Sequence, residues 1–236
     1  MNIKKRQLLT AGSSNIFSFK SLTQKKFRKG LFLRIIKRYS LVIVIVFLVI
    51  FQYDTALGSG QYADSTAEPY RLFSESSIIL GYGSGIIHKV DYDTAFIILH
   101  LGINLDRYYP SLNSYEGNLS FYIEPQFNPV INSESDYEVG LGLGFQYRYP
   151  VNDKMSAYFR AGISPHCITI ETIHQANGFI FSDLIGVGVD YLLTDSSAVN
   201  LGFWFRHMSN AGMEKPNDGV NSFIGVIGYS FFFNSI

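Results

Sequence analysis

The chain has 236 residues, 16% of them aromatic and 21 of them glycine, with 19 basic and 19 acidic side chains that cancel to a formal net charge of zero. A balanced charge provides no field to gather a polyanion, which excludes nucleic acid as a partner. The single cysteine, Cys167, excludes an internal disulfide framework and a cysteine-based zinc site, and reads as a small packing residue.

Met1 to Tyr39 carry Lys and Arg but no acid, and run into SLVIVIVFLVIF, whose apolar stretch Leu41 to Phe51 is about eleven residues long. A helix needs roughly 20 apolar residues to cross about 30 Å of hydrocarbon. The basic flank, the short apolar centre and small residues at Ala56 and Gly58 predict a secretory signal over residues 1–58, with an uncleaved anchor as the alternative. Residues 59–74 follow as a linker and 75–236 as the exported domain.

The exported domain alternates with period two. In DYEVGLGLGFQYRYPV, Tyr137, Val139, Leu141, Leu143, Phe145, Tyr147 and Tyr149 oppose Glu138, Gly140, Gly142, Gly144, Gln146 and Arg148. NLSFYIEPQFNP repeats the pattern and TAFIILHLGIN does so less cleanly. Eight strands are predicted, over about 75–85, 94–104, 117–129, 136–149, 154–164, 178–192, 198–210 and 221–233.

Alternation alone also fits a soluble sandwich or a lipocalin-like barrel, whose apolar faces point inward. The lumen of an eight-stranded barrel is narrow, however, and here the glycines lie on the polar face with Glu124, Glu138, Arg148, Arg160, Asp190 and Arg206. Charges that pair inside and bulky apolar residues that face outward predict an all-β, eight-stranded antiparallel transmembrane barrel of the outer membrane. Tyr and Phe clusters at the strand ends suit interfacial girdles. Asp183 is out of place on the apolar register of FIFSDLIGVGV, and calls for a bulge or an interfacial position. With a periplasmic N-terminus, residues 211–220 form an extracellular loop.

Strand seven, AVNLGFWFRHMSN, sets Leu201, Phe203, Phe205, His207 and Ser209 on the outer face, at the extracellular end. Polar groups beside lipid are costly and need a reason. A histidine two residues from a serine on one strand face can take the hydroxyl proton as the oxygen attacks an ester carbonyl. Asn221, on the outer face of strand eight, can accept from the imidazole and fix its tautomer. The pair also fits an interfacial polar band without chemistry.

Arg206-His207-Met208-Ser209-Asn210-Ala211-Gly212, followed by Lys215-Pro216-Asn217-Asp218-Gly219, closely resembles the active-site signature of the lipid A 3-O-deacylases, the PagL family of Gram-negative outer membranes. The resemblance is sharp over about residues 198–233. It implies an outward-facing serine esterase that removes the acyl chain ester-linked at position 3 of lipid A, with His207 as general base and Ser209 as nucleophile. It further implies an oxyanion-hole role for Asn210, and a site loop containing Asn217 and Asp218. No metal or diffusible cofactor is expected for this reaction. The partners implied are lipid A or lipopolysaccharide and outer-membrane lipid, with a homodimer left open. The departure is Asn221, which stands fourteen residues after the histidine, where the family has Glu; Glu214 and Asp218 are the nearby acids in sequence. A non-enzymatic adhesin or structural barrel with a degenerate site, and a phospholipid esterase, are the competing readings.

Overall fold

The structure, a computed structural model, describes residues 72–133 and 135–233. The expected signal over 1–58, and all but the last three residues of the 59–74 linker, lie outside the described residues. The described chain runs through β1 (Glu75–Ile87), β2 (Val90–Asn104), β3 (Asn118–Pro129), β4 (Tyr137–Asn152), β5 (Met155–Ile168), β6 (Gly178–Thr194), β7 (Ser197–Ser209) and β8 (Val220–Phe232). Each strand pairs antiparallel with its neighbours and β8 returns to β1, which closes the barrel. Closure leaves no strand edge with unpaired backbone groups, the condition for crossing hydrocarbon with strands.

The eight strands match the expectation in number and order, and several extend further than their alternation suggested. β2 begins at Val90 because a two-residue turn, His88-Lys89, joins it tightly to β1, with His88 in the left-handed region at φ 58°. The polar run before Ala95 does not end the strand, since Tyr92 and Thr94 point inward to polar partners or packed neighbours. Pro125 faces outward on β3, and the β2–β3 ladder skips Leu99 and His100 opposite it, as expected of a residue without an N–H.

The predicted faces hold. On β4, Glu138, Gln146 and Arg148 are buried while Val139, Leu141, Phe145, Tyr147 and Tyr149 are exposed. The same split places Phe159, Ile163, Ile185, Val187, Leu201, Phe203, Phe223 and Ile227 on the outside. A belt of this extent far exceeds the apolar patches that soluble monomers leave in water. Tyr147, Tyr149, Tyr191 and Tyr229 crown it at the end where β1 begins and β8 finishes. Cys167, expected as a packing residue, is exposed on the outer face of β5 between Val139 and Phe179.

The lumen is filled by three ionic layers. Nearest the start of β1, Arg148 binds Glu75 at 2.9 and 3.0 Å and Asp190 at 2.7 Å. In the middle, Arg160 donates to Glu124 at 2.7 Å, and His100 meets the other oxygen of that carboxylate at 2.7 Å. The Arg160 guanidinium lies 4.2 Å from the ring centres of both Tyr122 and Trp204. Highest, Arg206 grips Glu138 at 2.6 and 3.1 Å, with Tyr92 donating to the same carboxylate at 2.7 Å. Each carboxylate of these three layers thus meets a guanidinium in good geometry, without which its desolvation would be severe. Gly186 is required by this packing, because a Cβ there would stand 2.2 Å from the Trp204 ring. Above the third layer, Ile87, Tyr92, Val130, Ile168, Ile180, Met208 and Val220 form an apolar plug.

Candidate active site

The β1–β2, β3–β4, β5–β6 and β7–β8 connections gather at the plugged end. There the last residues of β7 alternate between plug and outer face. Arg206 and Met208 are buried within, and His207 and Ser209 are half-buried outside. The inward residues are anchored by the Glu138 pair and the plug, so the outward pair rests on a rigid strand.

His207 has a polar neighbour on both flanking strands. On β8 its register partner is Asn221, whose side-chain oxygen lies 2.7 Å from the imidazole Nδ1. An oxygen can only accept, so this contact assigns the proton to Nδ1 and leaves Nε2 with its lone pair. On β6 its register partner is Asp183. The β6–β7 register is continuous from Phe181 to Leu192 and shifts only beyond it, so no bulge re-aims Asp183; it remains outward and exposed. Within its own strand Asp183 is an anomaly of the apolar register. Its partner became visible only with cross-strand register, which alternation within a strand does not provide.

After Ser209 the chain turns sharply. Ala211 and Gly212 both take positive φ, 54° and 78°, and the Met213 N–H donates to the Asn210 carbonyl at 3.1 Å. Two consecutive left-handed residues make the I′-like turn for which Gly212 is suited and Ala211 is strained. The turn aims the Ala211 N–H at the Ser209 hydroxyl oxygen, 3.1 Å away.

Asn210 is placed differently from its expected role. Its side chain is buried, on the parity opposite to Ser209, where Nδ2 donates to the Glu214 carbonyl at 2.8 Å and Oδ1 accepts from the Gly212 N–H at 3.0 Å. The main-chain N–H of Asn210 donates to the Asn217 side chain at 3.0 Å. Asn210 and Asn217 therefore fasten the loop around the turn, and the donor that reaches Ser209 is the Ala211 backbone. Asp218 turns away from His207, since its carboxylate accepts from His174 Nδ1 at 2.9 Å and lies 3.5 Å from His88 Nδ1. Neither Asp218 nor Glu214 thus reaches the imidazole as a third member. Gly219 closes the loop against it: a Cβ there would sit 3.3 Å from His207 Cε1.

Beside His207 and Asp183, a shallow outer groove of about 490 Å³ crosses β4 to β7, lined by Leu143, Phe145, Ile163, Ile185 and Phe205. An imidazole and a carboxylate therefore stand at the edge of an apolar trough.

A closed eight-stranded antiparallel barrel with an apolar outer belt and a charged, sealed lumen defines a small outer-membrane barrel protein. The profile of the family described as Lipid A 3-O-deacylase (PagL) matches residues 97–230, and the chain belongs to that family. No curated protein matches the chain in sequence. Among solved structures, Neisserial surface protein A (NspA) is similar with a TM-score of 0.53 and 12% identity, over 67% of this chain and 96% of that one. The outer-membrane enzyme PagL follows at TM-score 0.47 and 19% identity, over 64% and 97% of the two chains. The N-terminal barrel of OprF from Pseudomonas aeruginosa follows at 0.41 and 15%, over 66% and 97%. The likeness to the Neisserial protein bears on the fold alone. Membership of the family places the chain in the Gram-negative outer membrane and in a class of acyl hydrolases acting on lipid A.

Proposed function

We propose that the chain hydrolyses the ester at position 3 of lipid A, with Ser209 as nucleophile and His207 as general base on the lipid-facing wall of the barrel. His207 Nε2 takes the Ser209 proton as Oγ bonds to the ester carbonyl carbon. The resulting oxyanion faces the Ala211 N–H, held in place by the turn that Asn210 and Asn217 fasten. Collapse breaks the bond to the sugar oxygen, which leaves with the proton from His207. Water then attacks the acyl-serine, with His207 again taking a proton, and frees the hydroxy fatty acid and Ser209. The acyl chain lies along the apolar trough while the sugar and phosphates remain at the rim.

The observation that carries this reading is the 2.7 Å contact between His207 Nδ1 and Asn221, which orients the imidazole on the outer face two residues from Ser209. An amide oxygen orients an imidazole but balances the charge of imidazolium poorly. Asp183, opposite His207 on β6, supplies a carboxylate from the other side. Directly opposed residues have Cβ atoms roughly 4.5–5.5 Å apart, within reach of side-chain motion. Asp183 is thus a positioning residue that restores the negative charge absent at 221.

Mass spectrometry of lipid A from cells with and without the protein tests the assignment. The expected change is the mass of one hydroxyacyl chain, abolished in Ser209→Ala while the barrel remains heat-modifiable. Retained activity in Ser209→Ala would overturn it. A second reading, a non-enzymatic barrel, is favoured by the amide at 221, which leaves His207 without a hydrogen-bonded carboxylate. It predicts an unchanged lipid A mass in every variant.

A further inference from the structure

Three residues from three connections meet at the rim of the barrel. His88 lies in the β1–β2 turn, His174 in the β5–β6 loop and Asp218 in the β7–β8 loop. One ligand atom from each falls within 4.8 Å of the other two. The imidazoles are nearly parallel, with ring centres 4.1 Å apart and an interplanar angle of 13°, and both present Nδ1 to the same Asp218 oxygen. We propose that His88, His174 and Asp218 bind a divalent metal ion of the Zn²⁺ type at the rim, and that the ion clamps the loop over the His207–Ser209 pair.

The distances are close to those an ion would impose. With metal–ligand bonds of about 2.0–2.2 Å, ligand atoms at adjacent corners of a tetrahedron lie roughly 3.3–3.5 Å apart. The two nitrogen–oxygen separations, 2.9 and 3.5 Å, lie on either side of the short end of that range, so small rotations of exposed side chains complete the geometry. Two imidazoles with one carboxylate select Zn²⁺, Ni²⁺ or Cu²⁺ over the all-oxygen preferences of Mg²⁺ and Ca²⁺.

The backbone brings two of the ligands together independently of their side chains. The Asp218 N–H donates to the His174 carbonyl at 2.9 Å, and the Ala176 N–H to the Pro216 carbonyl at 2.8 Å. The Gly219 N–H adds a bond to the Gln175 side chain at 3.3 Å. His88 is held to this pair only through its own side chain, and an ion would fix it. The side chains of His88 and Asp218 are 48% and 44% exposed, which leaves the open side of the cluster to water or an anionic oxygen as a further ligand. Asp218 lies between Asn217, which receives the Asn210 N–H, and Gly219, which packs on His207. An ion on Asp218 therefore restrains the segment that shapes the turn after Ser209.

Titration calorimetry with ZnCl₂ on the full chain in detergent, prepared without a polyhistidine tag, tests the proposal. Saturation at one ion per chain is expected, with affinity at least tenfold weaker in His174→Gln and in Asp218→Asn. Glu214→Gln should bind as the parent does, and MgCl₂ should give no saturable heat. All variants should keep the heat-modifiable mobility of the folded barrel, since the substitutions lie in loops. Amide exchange at Asn210 and Gly219 should slow when Zn²⁺ is present. Absence of saturable binding, or binding that survives in a His88→Gln/His174→Gln double variant, would overturn the site. Neither outcome depends on whether lipid A is cleaved.

Discussion

Asp183 on β6 and His207 on β7 are direct register partners on the outer wall of the barrel, and the far flank of the same imidazole is hydrogen-bonded to Asn221 on β8. Histidine is thus bracketed by an amide and a carboxylate on consecutive strands.

This bracket assigns different roles to its two flanks. In the proposed mechanism Asn221 sets the tautomer, and Asp183 stabilises the charge that forms when the proton arrives from serine. Asp183→Asn should lower kcat about tenfold, roughly 1.4 kcal/mol of transition-state stabilisation, with little change in KM. Asn221→Glu should raise kcat by a similar factor and make the Asp183→Asn loss smaller. Kinetics of all four combinations in mixed micelles measure the coupling; strict additivity would separate Asp183 from the imidazole.

Ala211 holds a strained backbone to present its N–H to Ser209. Replacement by Gly should relieve about 1 kcal/mol of left-handed strain, less the entropy a glycine loses on folding. Ala211→Gly is therefore expected to unfold at equal or slightly higher urea concentration and to keep its activity. Ala211→Val should lose both.

The topmost ionic layer supports the site from within. Glu138→Ala strands the Arg206 guanidinium, a loss of about 3–5 kcal/mol for a buried pair broken on one side. Glu138→Ala/Arg206→Leu should recover most of that stability, because the uncompensated charge is gone. Urea titrations of the three variants refolded into lipid vesicles distinguish this from simple loss of packing. Activity should follow stability, since Arg206 is the inward neighbour of His207.

Export places a further testable point in the leader. Residues 1–58 are proposed to be removed on secretion, so N-terminal sequencing of protein from outer membranes should begin at Ser59. A full-length chain would instead mark the basic leader as a retained anchor.

Much of the architecture is legible in the sequence because a barrel wall separates two environments with a strict period of two. Glu138, Arg148, Arg160 and Arg206 share one parity with the glycines, and the lumen is where all of them lie. Their pairing partners are less legible: Glu75, next to the linker, gives no local sign that it completes the Arg148 layer. The site shows the same division. His207, Ser209 and Asn221 follow from parity on two adjacent strands. Asp183 depends on how far β6 slides along β7, and the bonds of the inward-facing Asn210 depend on the turn that brings Glu214 to it. Single-strand periodicity carries neither quantity.

Among the described residues, the plug and the three guanidinium layers fill the lumen, while the histidine and serine stand on the outer wall. Turnover then requires no breathing of the lumen. If the proposed hydrolysis takes place there, the barrel interior can be rigid without slowing the chemistry, and the rate follows how many substrate molecules share its leaflet rather than their concentration in solution.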